Sequence, residues 1–250
     1  MLHVPTLSSQ FLSVIVIAYN EEKYLPQTLD SLSRQTDTRF EVIIVDSAST
    51  DATETVARAY ADKLPSFHYL KLAKAMGPGF GRNRGAEAAT GGRFLFLDAD
   101  TVLTPTFLAE TTAQLDRHRT DVATCPLRIQ EKSALSDAGS LFLNTAMRLL
   151  NPFYACGYGA CLFSTPAVHE AVGGFDERIG ICEDCHYIKM ARKKGFRFRI
   201  LSKPFHTSDR RARHEGSTRI MAKYIGCHLR RMLTGREIYK EDITYNYGEF

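Results

Sequence analysis

Two aspartates one residue apart, Asp98 and Asp100, follow a short unbroken apolar run at Phe94–Leu97. Such a run is typical of a strand buried on both faces of a parallel sheet, and it would deliver both carboxylates to the end of the strand where ligands of open α/β sheets bind. Two carboxylates placed there can hold a hard divalent cation, whose open positions can take diphosphate oxygens. The alternative is that aspartates simply favour turns after strands, and the pair alone leaves both interpretations open.

A glycine-rich stretch, Gly77–Gly85, offers a second kind of ligand chemistry. Its glycines would let the backbone approach a ligand closely, and Arg82 and Arg84 carry charge suited to phosphate. It is neither a P-loop nor a dinucleotide fingerprint, because no Gly-Lys-Ser/Thr occurs and the segment after the first predicted strand has no glycine. The alternative is an ordinary flexible connection that leads into a helix near residues 85–90.

Strands and helices that alternate along the chain must position these residues. Predicted strands at residues 13–18, 40–45 and 67–72 are separated by helical patterns, which favours a right-handed, mostly parallel sheet with helices on both faces. Asn20 is a candidate N-cap for the first helix, and Asp51 with Glu54 is typical of a capping box for the second. The later predicted elements are helices near 104–118, 133–150, 183–194 and 216–233, and strands over 122–129 and 196–201.

Length and composition suit one large α/β domain over residues 1–207, followed by a basic helical tail over residues 208–250. The apolar share of 44% and the charged share of 24% are those of an ordinary soluble globule. Between Ser208 and Arg236, eight basic and two acidic residues give a net charge of +6, whereas the whole chain carries +4. The tail is therefore expected to meet an acidic partner such as a phosphorylated ligand, a lipid surface or nucleic acid.

The predicted tail helix is amphipathic, and two environments suit it. Its apolar residues would form one stripe with basic residues on or beside the opposite face, a layout typical of a helix at an anionic bilayer surface. The alternative is that the stripe packs on the rest of the protein. The stripe comprises Ile220, Met221, Tyr224, Ile225, Leu229, Met232 and Leu233, and the basic residues are Arg219, Lys223, Arg230 and Arg231.

The sequence predicts a cytoplasmic location, with membrane association on the inner face as an option. Residues 1–10 lack the pattern of a signal peptide, and no apolar run approaches the ~18 residues that a transmembrane helix needs. Six cysteines do not form the framework of a small disulfide-rich domain, so reduced thiols are expected. Cys182 and Cys185, with Cys156 and Cys161 nearby, leave a structural zinc site as an alternative.

Six motifs occur together in one order along the chain. They are Val14–Glu21, Val45-Asp46 with Ser49 and Asp51, Gly81–Gly85, Asp98–Asp100, Gly173–Glu177 and Glu183-Asp184. Any one motif is weak, but six in register are specific, and the series closely resembles the one that marks the family 2 glycosyltransferases of GT-A fold. The resemblance covers roughly residues 12–207 and implies the nucleotide-diphospho-sugar transferase fold, a mostly parallel sheet flanked by helices.

The resemblance implies a UDP- or GDP-linked sugar donor, Mn²⁺ or Mg²⁺, and specific residue roles. Asp98 and Asp100 would be the Asp-x-Asp metal motif, with His206 as a third ligand. Asp184 would be the catalytic base. The alternative is that Glu183-Asp184 is only an acidic helix start, which the helix dipole favours. The nucleotide sugar would contact Ala18, Tyr19, Asn20, Glu21, Asp46, Ser49, Gly81, Arg82, Asp98, Ala99, Gly159 and Glu183.

This chemistry is that of an inverting transferase. A metal held by carboxylates neutralises the departing diphosphate, and an acceptor hydroxyl that attacks the opposite face loses its proton to a positioned base. The chain contains no tryptophan and no Gln-x-x-Arg-Trp after Asp184, which argues against the processive polysaccharide synthases. His186 stands where an acidic residue is often seen, so the acceptor, saccharide or lipid-linked, stays open.

Other classes of function compete less well. A non-catalytic nucleotide-sugar-binding or membrane-docking protein would have no use for the base, so the intact Asp98, Asp100 and Asp184 disfavour it. A dinucleotide-dependent oxidoreductase would carry a glycine fingerprint after the first strand. Nucleic acid is not an expected partner, because the tail shows mainly arginine without interleaved aromatic residues.

Overall fold

A computed structural model describes residues 11–131 and 133–242 of the chain. Helices and strands alternate through its first half, as the sequence predicts. In chain order the elements are β1 (Leu12–Ala18), α1 (Leu25–Ser33), β2 (Phe40–Asp46), α2 (Thr53–Arg58), β3 (Phe67–Lys71), α3 (Pro78–Ala88), β4 (Arg93–Asp98), β5 (Thr101–Val102), α4 (Phe107–Arg117), β6 (Val122–Thr124), β7 (Leu127–Ile129), α5 (Ala134–Leu150), β8 (Cys161–Ser164), α6 (Pro166–Val172), β9 (Ile179–Ile181), α7 (Glu183–Lys193), β10 (Phe198–Ile200), β11 (Phe205–Thr207), α8 (Arg210–Glu215), α9 (Ser217–Thr234) and β12 (Ile238–Tyr239).

The main sheet has seven strands in the order β10-β6-β8-β4-β1-β2-β3. Strands β4, β1, β2 and β3 are parallel, and β8 runs antiparallel to both β4 and β6. Ala18 of β1 is paired with Asp46 of β2, and Ile17 is paired with Asp98 of β4. The predicted mostly parallel sheet is confirmed, and its register brings the ends of β1, β2 and β4 to one edge.

Alternate residues of the central strands enter apolar layers on opposite faces of the sheet. Val14 and Val16 of β1 pack in a cluster with Leu29 of α1, whereas Ile15 packs on the other face with Tyr187 of α7. Strand β2 is buried along its whole length. Continuous apolar strands require this arrangement, because helices cover both faces of a parallel sheet.

The predicted strand over residues 122–129 is two strands in two sheets. Strand β6 belongs to the main sheet, whereas β7 joins β5 and β11 in a three-stranded sheet. Pro126 lies between them and has no N–H to donate, while its carbonyl accepts from the N–H of Phe205 at 3.0 Å. The chain leaves the main sheet there, and β11 pairs with β5 directly after Asp100.

Two predicted helix caps are wrong. Helix α1 begins at Leu25, and Asn20 instead lies in the turn before it with a φ of 54°. Asp51 accepts from the N–H of Thr53 at 3.0 Å, but Glu54 pairs with Arg58 and Lys71 rather than closing a capping box. In both places a distant segment takes the side chain that would cap the helix. Asn20 accepts from the N–H of Thr50, and Glu54 pairs with Lys71 of β3.

The glycine-rich stretch is not a loop: Gly77 is the N-cap of helix α3, and residues 78–85 form most of that helix. A Cβ atom on Gly85 would lie 2.2 Å from Cγ2 of Ile15, and one on Gly81 would lie 3.2 Å from Cγ2 of Ile17. Helix α3 therefore lies directly against β1, and the glycines make that approach possible. Their low helix propensity is outweighed by this packing.

We predict that Gly85→Ala lowers the free energy of unfolding by about 1–3 kcal/mol, because the new methyl group must displace Ile15 in a packed core. Gly139→Ala is the matched control, since a Cβ at this position of α5 would meet no atom within 4 Å. That control should gain about 0.5–1 kcal/mol from the higher helix propensity of alanine. Urea denaturation of both variants measures the difference, and equal effects would contradict the close contact.

Candidate active site

Asp46 is the last residue of β2 and is fully buried at this edge of the sheet. Its carboxylate accepts from the N–H of Ser49 at 2.9 Å and from the hydroxyl of Tyr69. Burial, followed by the hydrogen bond to Asp46, raises the pKa of Tyr69 well above its ordinary value, so the hydroxyl stays protonated and donates. Asp46 thereby orders the turn that follows β2.

Several hydrogen bonds join the turn after β1 to the segment after β2. The N–H of Asn20 donates to Oγ of Ser49 at 2.9 Å, and its side-chain oxygen accepts from the N–H of Thr50 at 2.9 Å. The N–H of Glu21 donates to Oγ1 of Thr53 at 2.7 Å. The two segments that the resemblance assigns to the nucleotide are thus brought together, with Ala18 and Asp46 at their base.

Arg210 connects the buried carboxylate of Glu21 to the partly buried carboxylate of Asp100 on a different segment. Its guanidinium group donates to both oxygens of Glu21, one at 2.6 Å, and its Nε lies 3.3 Å from Oδ2 of Asp100. Burial, with the charges of Asp100 and Asp98, raises the pKa of Glu21 to about 7, against the attraction of Arg210. Burial likewise raises the pKa of Asp100 to about 6. Arg210 is thus the counter-charge of this acidic pair.

Arg82 of α3 makes a second bridge, between the end of β4 and the start of α7. Its side chain is only 3% exposed, and it donates to Oδ1 of Asp98 at 3.0 Å and to Oε1 of Glu183 at 2.6 Å. Burial raises the pKa of Glu183, and Arg82 opposes that shift. Arg82 therefore fixes the position of Asp98 relative to α7, while its predicted contact with the donor stays a prediction.

Asp184 begins α7 beside Arg82 and is held by two backbone groups. Its Oδ2 accepts from the N–H of Gly159 at 2.6 Å, and its Oδ1 accepts from the N–H of Cys185 at 2.6 Å. A Cβ on Gly159 would lie 2.9 Å from Oδ2 of Asp184 and 3.0 Å from Nη2 of Arg82. Only glycine leaves room for both side chains at this point, and Asp184 remains partly exposed.

Asn83 has a positioning role that the sequence did not indicate. Its side chain accepts from the N–H of Phe175 at 2.8 Å, and donates to the carbonyl of Phe175 at 2.9 Å and to Glu177 at 2.8 Å. Gly174 lies in the left-handed region with a φ of 74°, and a Cβ there would lie 2.7 Å from Oδ1 of Asn83. The side chain of Asn83 thus joins two of the six motifs, Gly81–Gly85 and Gly173–Glu177.

The structure does not gather the predicted metal ligands into a closed site. Within residues 11–131 and 133–242, no group of three His, Cys, Asp or Glu side chains could hold a metal ion. His206 lies on β11, opposite Val102 and Arg128, and its role as a third ligand stays a prediction. Arg210 supplies positive charge at Asp100. Asp98 and Asp100 offer carboxylate oxygens, the donors that Mn²⁺ and Mg²⁺ prefer, so this pair suits such a cation.

The zinc alternative gains no support from the cysteines. All six are free thiols. Cys156, Cys182 and Cys185 pack in a buried apolar cluster with Met147 and Ile238. Burial raises the pKa of Cys156 to about 12, which disfavours the thiolate that zinc binding requires.

The sequence model described as Glycosyl transferase family 2 matches residues 13–159 of this chain. The Staphylococcus aureus protein named poly(ribitol-phosphate) beta-N-acetylglucosaminyltransferase TarS is 38% identical over 112 residues, which are 44% of this chain and 20% of that protein. The Escherichia coli glycosyltransferase YibD, described as uncharacterized, is 37% identical over 118 residues, 47% of this chain and 34% of its own length. The chain thus spans about a third or less of these relatives.

Solved structures share the fold over most of this chain. The crystal structure of S. aureus TarS 1-349 in complex with UDP has a TM-score of 0.65 and 26% identity, and the match covers 79% of this chain and 60% of that one. The mannosyltransferase PcManGT from Pyrobaculum calidifontis, in complex with GDP-Man and Mn²⁺, has a TM-score of 0.67 at 22% identity. The GT-A architecture expected from the sequence is confirmed.

We predict that Arg210→Gln destabilises the protein, and more strongly as the pH rises. Folding raises the pKa values of Glu21 and Asp100 to about 7 and about 6, so these carboxylates favour folding at acidic pH and oppose it as they ionise. Without Arg210, two ionised carboxylates are buried without their counter-charge, at a cost of about 3 kcal/mol near pH 8 and less near pH 5.

Arg213→Gln is the control on the same helix, because Arg213 is 59% exposed in its ion pairs with Glu131 and Asp209. Its loss should cost at most about 1 kcal/mol at either pH. Denaturant titrations at both pH values, with Mn²⁺ or with a chelator, give the comparison. Mn²⁺ should restore stability to the Arg210 variant more than to the control, and a loss independent of both pH and cation would contradict this role.

Proposed function

The chain belongs to glycosyl transferase family 2, and on that premise we propose that it transfers a sugar from a nucleotide-diphosphate donor to an acceptor hydroxyl, with inversion. One observation carries the proposal. The ends of β1, β2 and β4 and the start of α7 converge at one edge of the sheet, where Arg82 joins Asp98 to Glu183 beside Asp184. This edge would therefore bind the nucleotide-sugar donor next to a carboxylate, Asp184, that acts on the acceptor.

The donor is proposed to bind along the joined turns after β1 and β2. This segment has the hydrogen-bonding groups of Asn20, Glu21 and Ser49 around the buried Asp46. UDP-N-acetylglucosamine is the first donor to test, because the relative TarS is named for N-acetylglucosaminyl transfer and a related structure contains UDP. GDP-linked sugars are the second group.

Asp98 and Asp100 are proposed to hold Mn²⁺ or Mg²⁺. Such a cation would supply the Lewis acid that neutralises the departing diphosphate. A ligating carboxylate must be deprotonated, and Asp100, with a pKa of about 6, is mainly ionised at neutral pH. Arg82 holds one oxygen of Asp98, so the orientation of that carboxylate is set before any cation arrives.

Asp184 is proposed to accept the proton of the acceptor hydroxyl. The N–H groups of Gly159 and Cys185 fix its carboxylate in one orientation, which is what a general base needs before the substrate binds. Attack on the face opposite to the diphosphate then inverts the anomeric carbon. The acceptor is proposed to be a saccharide or a lipid-linked sugar that receives single additions, since the chain lacks the tryptophan motif of the processive synthases.

We predict that Asp184→Asn reduces turnover by about 10²- to 10⁴-fold while donor binding changes little, because the amide keeps the shape but not the basicity. Turnover is measured as UDP release with Mn²⁺ and a panel of acceptors, and donor binding by calorimetry. Asp62→Asn, at an exposed position remote in sequence from this site, is the control and should behave as the wild type.

The same measurements separate catalysis from structure. Equal losses of donor binding and turnover in the Asp184 variant would make Asp184 a structural group at the start of α7. Donor binding without turnover in the wild-type protein, across the whole panel, would favour a nucleotide-sugar-binding protein instead.

A further inference from the structure

Large apolar side chains are exposed on two neighbouring parts of the surface, α5 with the turn after it, and α9. Phe153, in that turn, is 91% exposed, and Leu233 near the end of α9 is 84% exposed. A group of large exposed apolar side chains of this kind is unusual on a soluble monomer and is typical of an interaction site. We call it the α5–α9 face, and it consists of Leu141, Phe142, Leu149, Leu150, Phe153, Ile225, Leu229, Met232 and Leu233.

Helix α9 packs against the turn that follows α5. The hydroxyl of Tyr154 lies 3.1 Å from Nδ1 of His228 and accepts from Arg231 at 2.9 Å. Met147 of α5 shares a buried cluster with Tyr224 and Cys227 of α9. Met147, Tyr224 and Cys227 thus point inward, and the residues of the α5–α9 face point to the solvent.

The predicted stripe of α9 is divided between two environments. Tyr224 packs inward, whereas Ile225, Leu229 and Met232 follow at helical spacing on the outer side. The sequence predicts Arg231 with the other basic residues on or beside the face opposite the stripe, but it is buried against Glu237, with Nε 2.6 Å from Oε2. A buried guanidinium needs a carboxylate partner, and Glu237 provides it.

Basic residues border the α5–α9 face. Arg219 and Lys223 lie along α9 beside its outer apolar stripe, and α9 contains no acidic residue. Arg230 of the same helix forms an ion pair with Asp242 at 3.3 Å. Arg148 is exposed on α5. Arg192 donates to the carbonyl of Asn151 at 2.6 Å, which brings the basic end of α7 next to the turn that contains Phe153. An apolar surface with a cationic rim is the layout of a helix at a membrane interface.

We propose that the α5–α9 face docks on a bilayer that contains anionic lipids. Phe153 and the leucines would enter the boundary between headgroups and acyl chains, while the rim would contact lipid phosphates. A second copy of the chain is a poorer occupant, because a twofold contact would bring the same basic rims together. In the part of the chain that the structure describes, no helix is long and apolar enough to cross a bilayer.

The first test removes the apolar contact without disturbing the fold. Leu149→Ser with Phe153→Ser changes two exposed positions, whereas deleting α9 would also remove the buried Arg231–Glu237 pair. Co-sedimentation with vesicles rich in phosphatidylglycerol should show a partition coefficient at least about tenfold lower for the double variant. Pure phosphatidylcholine vesicles should bind the wild type weakly. Neither donor nor acceptor is needed, so the result is independent of the proposed function.

The second test removes the basic rim. Arg148→Glu with Arg219→Glu should weaken binding about fivefold for each basic residue lost, so about 25-fold together, and the difference should shrink at high salt. Lys63→Glu with Arg117→Glu makes the same charge change on other elements and should bind nearly as the wild type.

Three outcomes would overturn the proposal. The wild type could remain in the supernatant with anionic vesicles at low salt. The rim variant and its control could bind equally, which would leave only a non-specific effect of net charge. Light scattering could instead show a dimer that the Leu149 and Phe153 substitutions dissociate, and vesicles would then not be bound, which would assign the face to a second copy.

Discussion

The buried guanidinium group of Arg82 is the contact on which the arrangement of the site depends. A charge that is only 3% exposed is tolerated when carboxylates surround it, and here they come from β4 and from the start of α7. Arg82 can reach both because Gly81 and Gly85 let α3 lie against β1. The next residue, Asn83, holds the turn at residues 173–177 that leads to α7. One turn of helix thus couples the sheet edge to the element that carries Asp184.

Charge at this edge is unbalanced in a way that suits the proposed reaction. Two guanidinium groups, Arg82 and Arg210, face five carboxylates. The excess negative charge favours a divalent cation, and a cation is what allows a diphosphate to approach carboxylates at all. Arg210 partly offsets the same negative charge, because it reaches from α8 to Glu21 after β1 and to Asp100. The carboxylates are Glu21, Asp98, Asp100, Glu183 and Asp184.

The sequence predicts the central sheet well because its strands are continuous apolar runs. A strand that is buried on both faces needs apolar residues at nearly every position, so its pattern is easy to recognise. It also predicts that Asp98 lies at a strand end, since β4 ends there. The errors arise where distant segments decide the outcome. Helix α3 contains glycines that local propensity assigns to a loop, and only the contact with Ile15 explains them. The partners of Arg210 and Arg231 are set by tertiary packing, so charge counting identified a basic tail but not the two arginines that face inward.

Helix α7 links the candidate base to the α5–α9 face. Asp184 lies at its first turn, and Arg192 at its last turn contacts Asn151 of the exposed turn. Between them, Lys189 and His186 bind Glu237, which in turn holds Arg231 of α9. The helix has 11 residues, so its ends are separated by about 16 Å. If the α5–α9 face rests on a bilayer, Asp184 would lie about 16 Å from the end of α7 that is nearest the lipid. An acceptor could span this length and reach the site while its lipid anchor stays in the bilayer.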